Sequence, residues 1–388
     1  MPRRLIAILC LTALLGVFAT ACGSDDGIPD NPDKSESTAQ LAPPVTDSGP
    51  PITDTDGQAF NAAEVYKETV PGVISVRSIF DTGAAGGSGF VLSEDGEIVT
   101  NAHVITDGEG EARTAAKQVY VEFYDKNVVP AEIIGFDPFN DVGLLKVDPD
   151  AVDLTPLQMV DSEKVIVGQP IAVIGSPFGE DYSLSTGVVS QVGRSVRSLT
   201  DFQIEGAIQT DASINPGNSG GPMLDGSGRV MGISQQIKGS SGASDGVGFG
   251  VPSSAIVSSV KQLRENGEAS YAYIGVSTQP IYPQLAEKLG LGVDSGALVG
   301  EVVNGGPADK AGIRGGDKEI TFQAGRYQTG GDVIISANGQ KIEQAEDLGR
   351  IIGALQPGDT VELGIVRDGK EATIDVDLEE RPTALSAG

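Results

Sequence analysis

The sequence predicts a mainly β protein: two antiparallel barrels, then a second and smaller β-rich unit. Three observations carry that reading. About a dozen short apolar, β-branched runs recur at close spacing with no crossover helices between them, the mark of antiparallel barrels and not of a parallel α/β sheet. Glycine is abundant, at 53 of 388 residues, while tryptophan is absent and aromatics total 5%; such a composition suits many tight turns. Finally, a single helical pattern, Ser253 to Asn266, with Ile256, Val260 and Leu263 at helical spacing, separates the two strand-rich stretches.

The elements follow in order. Phe60 to Thr69 predicts a short helix stopped by Pro71. Strands are predicted at Val73–Ser78, Gly89–Leu92, Ile98–Thr100, Val119–Phe123, Ala131–Gly135 and Val142–Val147, then at Pro170–Gly175, Ser185–Val192, Ala207–Thr210, Pro222–Leu224 and Val230–Ser234. Residues 58–266 form the first domain, 267–272 a hinge, 273–380 the second domain and 381–388 a tail.

The first 22 residues have the layout of an export signal: Arg3 and Arg4, an apolar run from Leu5 to Phe18, then small residues. The run is short for a membrane-spanning helix. Ala19-Thr20-Ala21-Cys22-Gly23-Ser24 resembles a bacterial lipobox, in which the Cys (here Cys22) is lipidated; Ala19 stands where Leu is usual. The alternative is plain cleavage or an uncleaved anchor, and either places the folded part outside the cytoplasm. Residues 23–57, rich in Asp, Ser, Thr and Pro, read as a disordered acidic spacer.

Composition excludes several functions. With 54 acidic and 26 basic residues, and no Lys/Arg cluster, the chain is a poor partner for nucleic acid. The only cysteines are Cys10 and Cys22, so the folded part holds no disulfide framework or thiolate metal cluster. One histidine, His103, rules out a zinc site built on two imidazoles. No metal and no cofactor are expected.

The chemistry centres on Asn215-Pro216-Gly217-Asn218-Ser219-Gly220-Gly221-Pro222. A serine between glycines on a tight turn is open to a scissile carbonyl, and consecutive N–H groups there can converge on an oxyanion. Ser219 is the candidate nucleophile, with the N–H groups of Gly217 and Ser219 as the oxyanion hole. A hydroxyl needs a base near neutrality, and His103, at the end of the run Val99-Thr100-Asn101-Ala102, is the one available. A carboxylate must hold the imidazole; Asp141 at the start of an apolar strand is the choice, with Asp137 and Asp148 as rivals flanking the same strand. The order His, Asp, Ser is that of chymotrypsin, the handling order of a known template.

Gly87-Ser88-Gly89-Phe90, Thr100–Val104, Asn140–Val147, Ile208–Pro222 and Gly246–Pro252 resemble the protease domain of the HtrA/Deg family in sequence and in order. The resemblance covers about residues 60 to 266. It implies two perpendicular six-stranded barrels of chymotrypsin type with the site between them, unfolded or misfolded proteins as substrates, no ATP, and homotrimers or larger multiples. Digestive relatives carry an Asp before the nucleophile; Asn218 here cannot make that activating ion pair. Loop ordering is then the expected control, with 181–185 and Arg194–Gln203 as candidate loops and Arg194 and Arg197 as candidate contacts. The specificity pocket is expected from Ser213, Ile214, Asn215, Ile233, Ser234 and Gln235. Ala212-Ser213-Ile214 holds no acid, which disfavours basic side chains, and Ile214 points to small or medium aliphatic ones.

In the second unit, Tyr273-Ile274-Gly275-Val276 resembles the carboxylate-binding loop of PDZ domains, which capture peptide C-termini by adding them as a strand. Gly306-Pro307-Ala308, Ala311-Gly312-Ile313 and Gly331-Asp332-Val333-Ile334 fit that pattern, but Asp317–Gly330 is inserted, as a hairpin by its pattern. The leading expectation is an exported, membrane-tethered serine endopeptidase of quality control or stress signalling. The alternative is a chaperone or PDZ-directed scaffold with minor proteolysis.

Overall fold

A computed structural model describes residues 59–176, 182–235 and 246–384. The export signal, Cys22, the acidic spacer and the start of the 181–185 loop lie outside the described residues.

Helix α1 (Ala62–Thr69) opens the described chain, with Asn61 accepting from the Glu64 N–H as its N-cap. Six strands follow: β1 (Val73–Phe80), β2 (Gly83–Val91), β3 (Glu97–Thr100), β4 (Gln118–Glu122), β5 (Val128–Asp137) and β6 (Val142–Lys146). They close into a barrel in the order β1-β2-β3-β6-β5-β4. The single-turn helix α2 (Ala102–Ile105) hangs from the end of β3. A second barrel is made by β7 (Pro170–Gly175), β8 (Ser183–Arg197), β9 (Gln203–Thr210), β10 (Pro222–Leu224), β11 (Val230–Gln235) and β12 (Gly248–Pro252), closed in the order β8-β9-β12-β11-β10-β7. The two closed six-stranded barrels are those the sequence led one to expect.

Each barrel has its own apolar interior. Ile74, Val91, Ile98, Ile105, Val121 and Leu145 fill the first, and Ile171, Val173, Val189, Ile208, Met223 and Met231 the second. A third cluster lies between them, with Val73, Phe90, Val99 and Leu144 facing Ile174, Leu224, Ile233 and Val251. Helix α3 (Ser253–Asn266) seals this seam by burying Ile256, Val260 and Leu263. Burying a side chain of this kind is worth roughly 1.5–3 kcal/mol, so the seam is a packed interface, and groups placed in it are held firmly. Gly267, at φ 78, ends α3 by donating its N–H to the Leu263 carbonyl.

The second domain begins at β13 (Ala272–Tyr273). It is a six-stranded sheet whose main path runs β14 (Val276–Pro280), β15 (Ala297–Val302), β18 (Val333–Ala337), β19 (Thr360–Arg367) and β20 (Lys370–Asp377), in that order, with the short strand Gln340–Lys341 paired to β18 off that path. Helix α6 (Ala345–Gly353) buries Leu348, Ile351 and Ile352 on it, and a capping box between Gln344 and Asp347 fixes its start. Helices α4 (Pro283–Leu289) and α5 (Pro307–Lys310) complete the unit. The inserted stretch forms a separate hairpin, β16 (Lys318–Phe322) with β17 (Gly325–Thr329). The last strand, β21 (Glu379–Glu380), pairs with β13, so the domain starts and finishes side by side.

Two differences from the sequence reading bear on the site and on the junction of the domains. β8 continues to Arg197 across three register shifts against β9, so Arg194 and Arg197 belong to a bulged strand and the loop proper is 198–202. Bulges break the alternation on which a strand is recognised. Arg381, placed in the tail by sequence, donates its backbone N–H to the Tyr271 carbonyl and is packed into the junction of the two domains.

Candidate active site

The reactive residues meet at the seam between barrels. β3 ends at Thr100, and α2 turns the chain so that His103 follows within three residues. Antiparallel pairing sets Thr100 against Gly143, which brings Asp141, just ahead of β6, beside the imidazole. Asp141 is fully buried. Its Oδ1 accepts from the His103 backbone N–H at 2.9 Å, and its Oδ2 lies 2.8 Å from His103 Nδ1. The Asp141 carbonyl accepts from Asn101 Nδ2 (2.8 Å) and from the Ala102 N–H (3.2 Å). These bonds hold Asp141 at φ 54, a left-handed conformation of the sort that costs of order 1–3 kcal/mol and gathers at functional sites.

Burial works against a charged His103, but the charge and hydrogen bond of Asp141 outweigh it, and the imidazole pKa lies above its ordinary value. Arg113 acts weakly in the opposite sense.

The serine turn is bonded to itself and to both barrels. Asn218 N–H donates to the Asn215 carbonyl (3.0 Å), Gly221 N–H to the Asn218 carbonyl (2.8 Å) and Gly220 N–H to the Ser234 carbonyl (2.9 Å). Gly217 and Gly220 sit at φ +98 and +84. Gly220 has no room for a side chain: a Cβ there would lie 2.2 Å from the Ser88 carbonyl oxygen and 3.0 Å from the Asn101 nitrogen. Backbone-to-backbone packing therefore presses the turn onto the strand end that leads to His103. Among the described residues no hydrogen bond joins Ser219 to His103, a contact that in apo enzymes is often long and tightens with substrate.

The rival carboxylates do other work. Asp148 is exposed and accepts from the Asp150 N–H. Asp137, fully buried, accepts from Phe139 N, Asn140 N, Asn140 Nδ2, Ser259 Oγ and Tyr271 Oη. Burial pushes its carboxyl above the usual range, although these donors pull the other way.

Of the expected pocket residues, Ile214 and Ile233 are buried, and Ser213 and Asn215 are exposed. A Cβ on Gly248 would meet Ile214 Cδ1 at 2.8 Å, which places Ile214 against β12. Ser234 and Gln235 are turned elsewhere. Ser234 Oγ donates to the Asn218 carbonyl at 2.5 Å. Gln235 Nε2 donates to Asp141 Oδ2 at 3.1 Å, with the Arg197 carbonyl 3.5 Å away. Gln235 thus touches the carboxylate and not an open pocket, a role that no local motif in the sequence could have signalled.

In the second domain, Tyr273, Ile274, Gly275 and Val276 face Leu348, Gly349 and Ile352 of α6 across a groove of about 300 Å³. Phe202 and Glu205 of the first domain, with Arg381, also line it. Arg381 stacks its guanidinium on Phe139 (5.7 Å), Phe202 (5.1 Å) and Tyr271 (5.5 Å). Tyr273 meets Phe202 edge-on at 5.6 Å.

Two closed barrels packed along a seam, followed by a smaller sheet with a groove between Tyr273–Val276 and α6, are the architecture of a trypsin-like peptidase domain joined to a PDZ domain. The family model for the trypsin-like peptidase domain matches residues 87–233, and that for the PDZ domain matches residues 272–378. Relatives include a probable periplasmic serine endoprotease, DegP-like, of Marinomonas sp. (strain MWYL1), 41% identical over 76% of this chain and 57% of the relative. The one from Pseudomonas fulva (strain 12-X) is 40% identical over 76% of this chain and 56% of the relative. The chain thus spans a little over half the length of the curated relatives it matches. Among solved structures, the HtrA-type protease AlgW with tripeptide superposes with a TM-score of 0.70 at 28% identity, covering 83% of this chain and 98% of that one. The chain carries a trypsin-like peptidase domain followed by a PDZ domain and is similar to HtrA-type serine proteases.

Proposed function

We propose that the chain is an ATP-independent serine endopeptidase that acts outside the cytoplasm on unfolded or misfolded proteins, with a PDZ domain that binds peptide C-termini. In this reading Ser219 Oγ attacks the scissile carbonyl while His103 Nε2 takes its proton. Asp141 fixes the tautomer through Nδ1 and stabilises the imidazolium. The N–H groups of Gly217 and Ser219 receive the oxyanion. His103 gives that proton to the departing amine as the scissile C–N bond breaks, and the acyl-enzyme is then hydrolysed by a water that the again neutral His103 deprotonates. The observation that carries the reading is the double hold of Asp141 on His103, through ring and backbone at 2.8 and 2.9 Å. A scaffold without hydrolysis has no use for a buried, backbone-strained carboxylate aimed at its one imidazole.

Ser219→Ala tested on β-casein is expected to abolish cleavage and keep binding; cleavage at the wild-type rate would overturn the assignment. Ile214 and Ile233 bound a pocket for small or medium aliphatic side chains, which a peptide-library cleavage profile tests. A peptide adding as a strand beside β14 would set its terminal carboxylate at Tyr273–Val276. The periplasmic relatives and the export-type N-terminus support the location, and the resemblance supports a homotrimer. Lipidation of Cys22 as a membrane tether is read by mass determination of the mature N-terminal peptide, and the trimer by light scattering.

A further inference from the structure

We infer that Ser88 is a positioning residue that fixes the oxyanion-forming turn from the opposite barrel. Ser88 lies on β2 and is fully buried. Its backbone N–H donates to the Ser219 carbonyl at 2.8 Å, and its hydroxyl donates to the Gly217 carbonyl at 2.7 Å across 129 positions of sequence. The same hydroxyl accepts from the Ser176 N–H at 2.9 Å, just beyond β7. Its carbonyl accepts from Thr100 Oγ1 at 2.7 Å. One residue of the first barrel therefore holds two alternate carbonyls of the serine turn, and is itself held from the second barrel and from β3.

The placement bears on the chemistry through peptide geometry. The peptide joining Asn218 to Ser219 carries one oxyanion N–H and is planar. Its own carbonyl, that of Asn218, accepts from Ser234 Oγ and from the Gly221 N–H, and Ser88 fixes the peptides on both sides of it. A peptide plane turns over about its two Cα atoms, so Ser88 sets where the Ser219 N–H sits while the second barrel sets which way it faces. The peptide joining Pro216 to Gly217 carries the other N–H and shares the Gly217 Cα, at φ +98, with the peptide whose carbonyl Ser88 holds. Ser88 thus positions both oxyanion donors from the first barrel. Serine suits the position because its hydroxyl both donates and accepts. Alanine does neither, and threonine adds a methyl group where there is no exposed surface.

The inference rests on the reading of Ser219 as nucleophile, and the two fail separately. If Ser219→Ala keeps wild-type cleavage, the nucleophile is wrong; if Ser219→Ala is inactive while Ser88→Ala behaves as wild type, the positioning role is wrong. Ser88→Ala in the full chain is expected to lower kcat on a fluorogenic peptide roughly 10- to 100-fold, somewhat less than removal of an oxyanion donor itself. KM should stay within about twofold, the pattern of an interaction made in the transition state only. Affinity for a peptide boronate, whose tetrahedral oxygen occupies the oxyanion position, should fall by the same factor as kcat. Ser88→Cys, with a weak donor of similar shape, should recover part of the loss and serves if the alanine variant does not fold. Thr100→Val removes a bond at the same interface without touching the hydroxyl of Ser88, so it reports a merely structural effect. If kcat of the folded Ser88 variants is unchanged, or if Thr100→Val lowers kcat and boronate affinity as much, the inference is overturned.

Discussion

The phenol of Tyr271 donates to the carboxylate of Asp137, so the approach to the second domain is bonded to the turn that delivers Asp141 four residues later. That carboxylate is fully buried and has no solvent to replace a missing donor.

Tyr271→Phe should therefore destabilise the protein by roughly 1–3 kcal/mol, the usual cost of leaving a buried polar group under-satisfied. The ring contact with Phe139 at 5.4 Å is retained, so the loss isolates the hydroxyl. Urea denaturation measures it, and an unchanged midpoint would refute it.

The proposed catalysis needs neutral His103, whose pKa is raised by Asp141 against the effect of burial. The acid limb of kcat/KM is expected above the ordinary imidazole value of about 6.5. Asp141→Asn should move that limb downward, since burial is then opposed less, and should cut kcat on the order of 10³–10⁴-fold. The sign for stability follows from the same raised pKa. Protonated His103 favours the folded state below its unfolded pKa, and that contribution is lost as pH rises through the folded value. A pH–rate profile and melting curves over pH 5 to about 8 read both effects.

Gln235→Leu removes a donor from Asp141 Oδ2. A hydrogen bond to a charged group contributes about 1.5–3 kcal/mol, so folding stability measured in urea should fall by about that much. A less satisfied carboxylate holds the imidazolium proton more tightly, and the acid limb should shift further up. A loss of stability with no shift would mean that Gln235 acts by packing alone.

Arg381→Ala opens a cavity among three rings and removes a partly desolvated cation–π cluster, for an expected loss of about 1–2 kcal/mol. Arg381→Lys should restore little of it, because the planar guanidinium is what stacks. Calorimetry of the three proteins decides this.

Much of this architecture could be read from the chain. Runs such as Val142–Val147 and Pro170–Gly175 are strands because β-branched residues fill a barrel wall. Helix Ser253–Asn266 falls where its 3.6-residue periodicity placed it. Less legible was β2, which starts at Gly83: Gly83-Ala84-Ala85-Gly86-Gly87 has little intrinsic strand preference and is extended because Phe80 to Val76 pair with it. β12, too, has little strand signal of its own and is held extended by β9 and β11. The glycine turn around Ser219 and the lone His103 announce themselves by composition. Asp137, Asp141 and Asp148 flank the same strand, and only tertiary contacts separate their roles. Ser88 and Gln235 are ordinary residues locally; their partners lie 129 and 94 positions away, beyond the reach of any short pattern.

The pairing of β13 with β21 sets Tyr271 beside Arg381, at the place where the chain both enters and leaves the second domain. A unit tethered by one strand swivels freely, whereas one gripped at both its ends moves like a door on a fixed pin. Rotation about that pin would have to break the contacts of Tyr273 and Arg381 with Phe202 of the first domain. Shortening the chain to end before Glu379 would cut the pin itself and leave the groove on a loose strap.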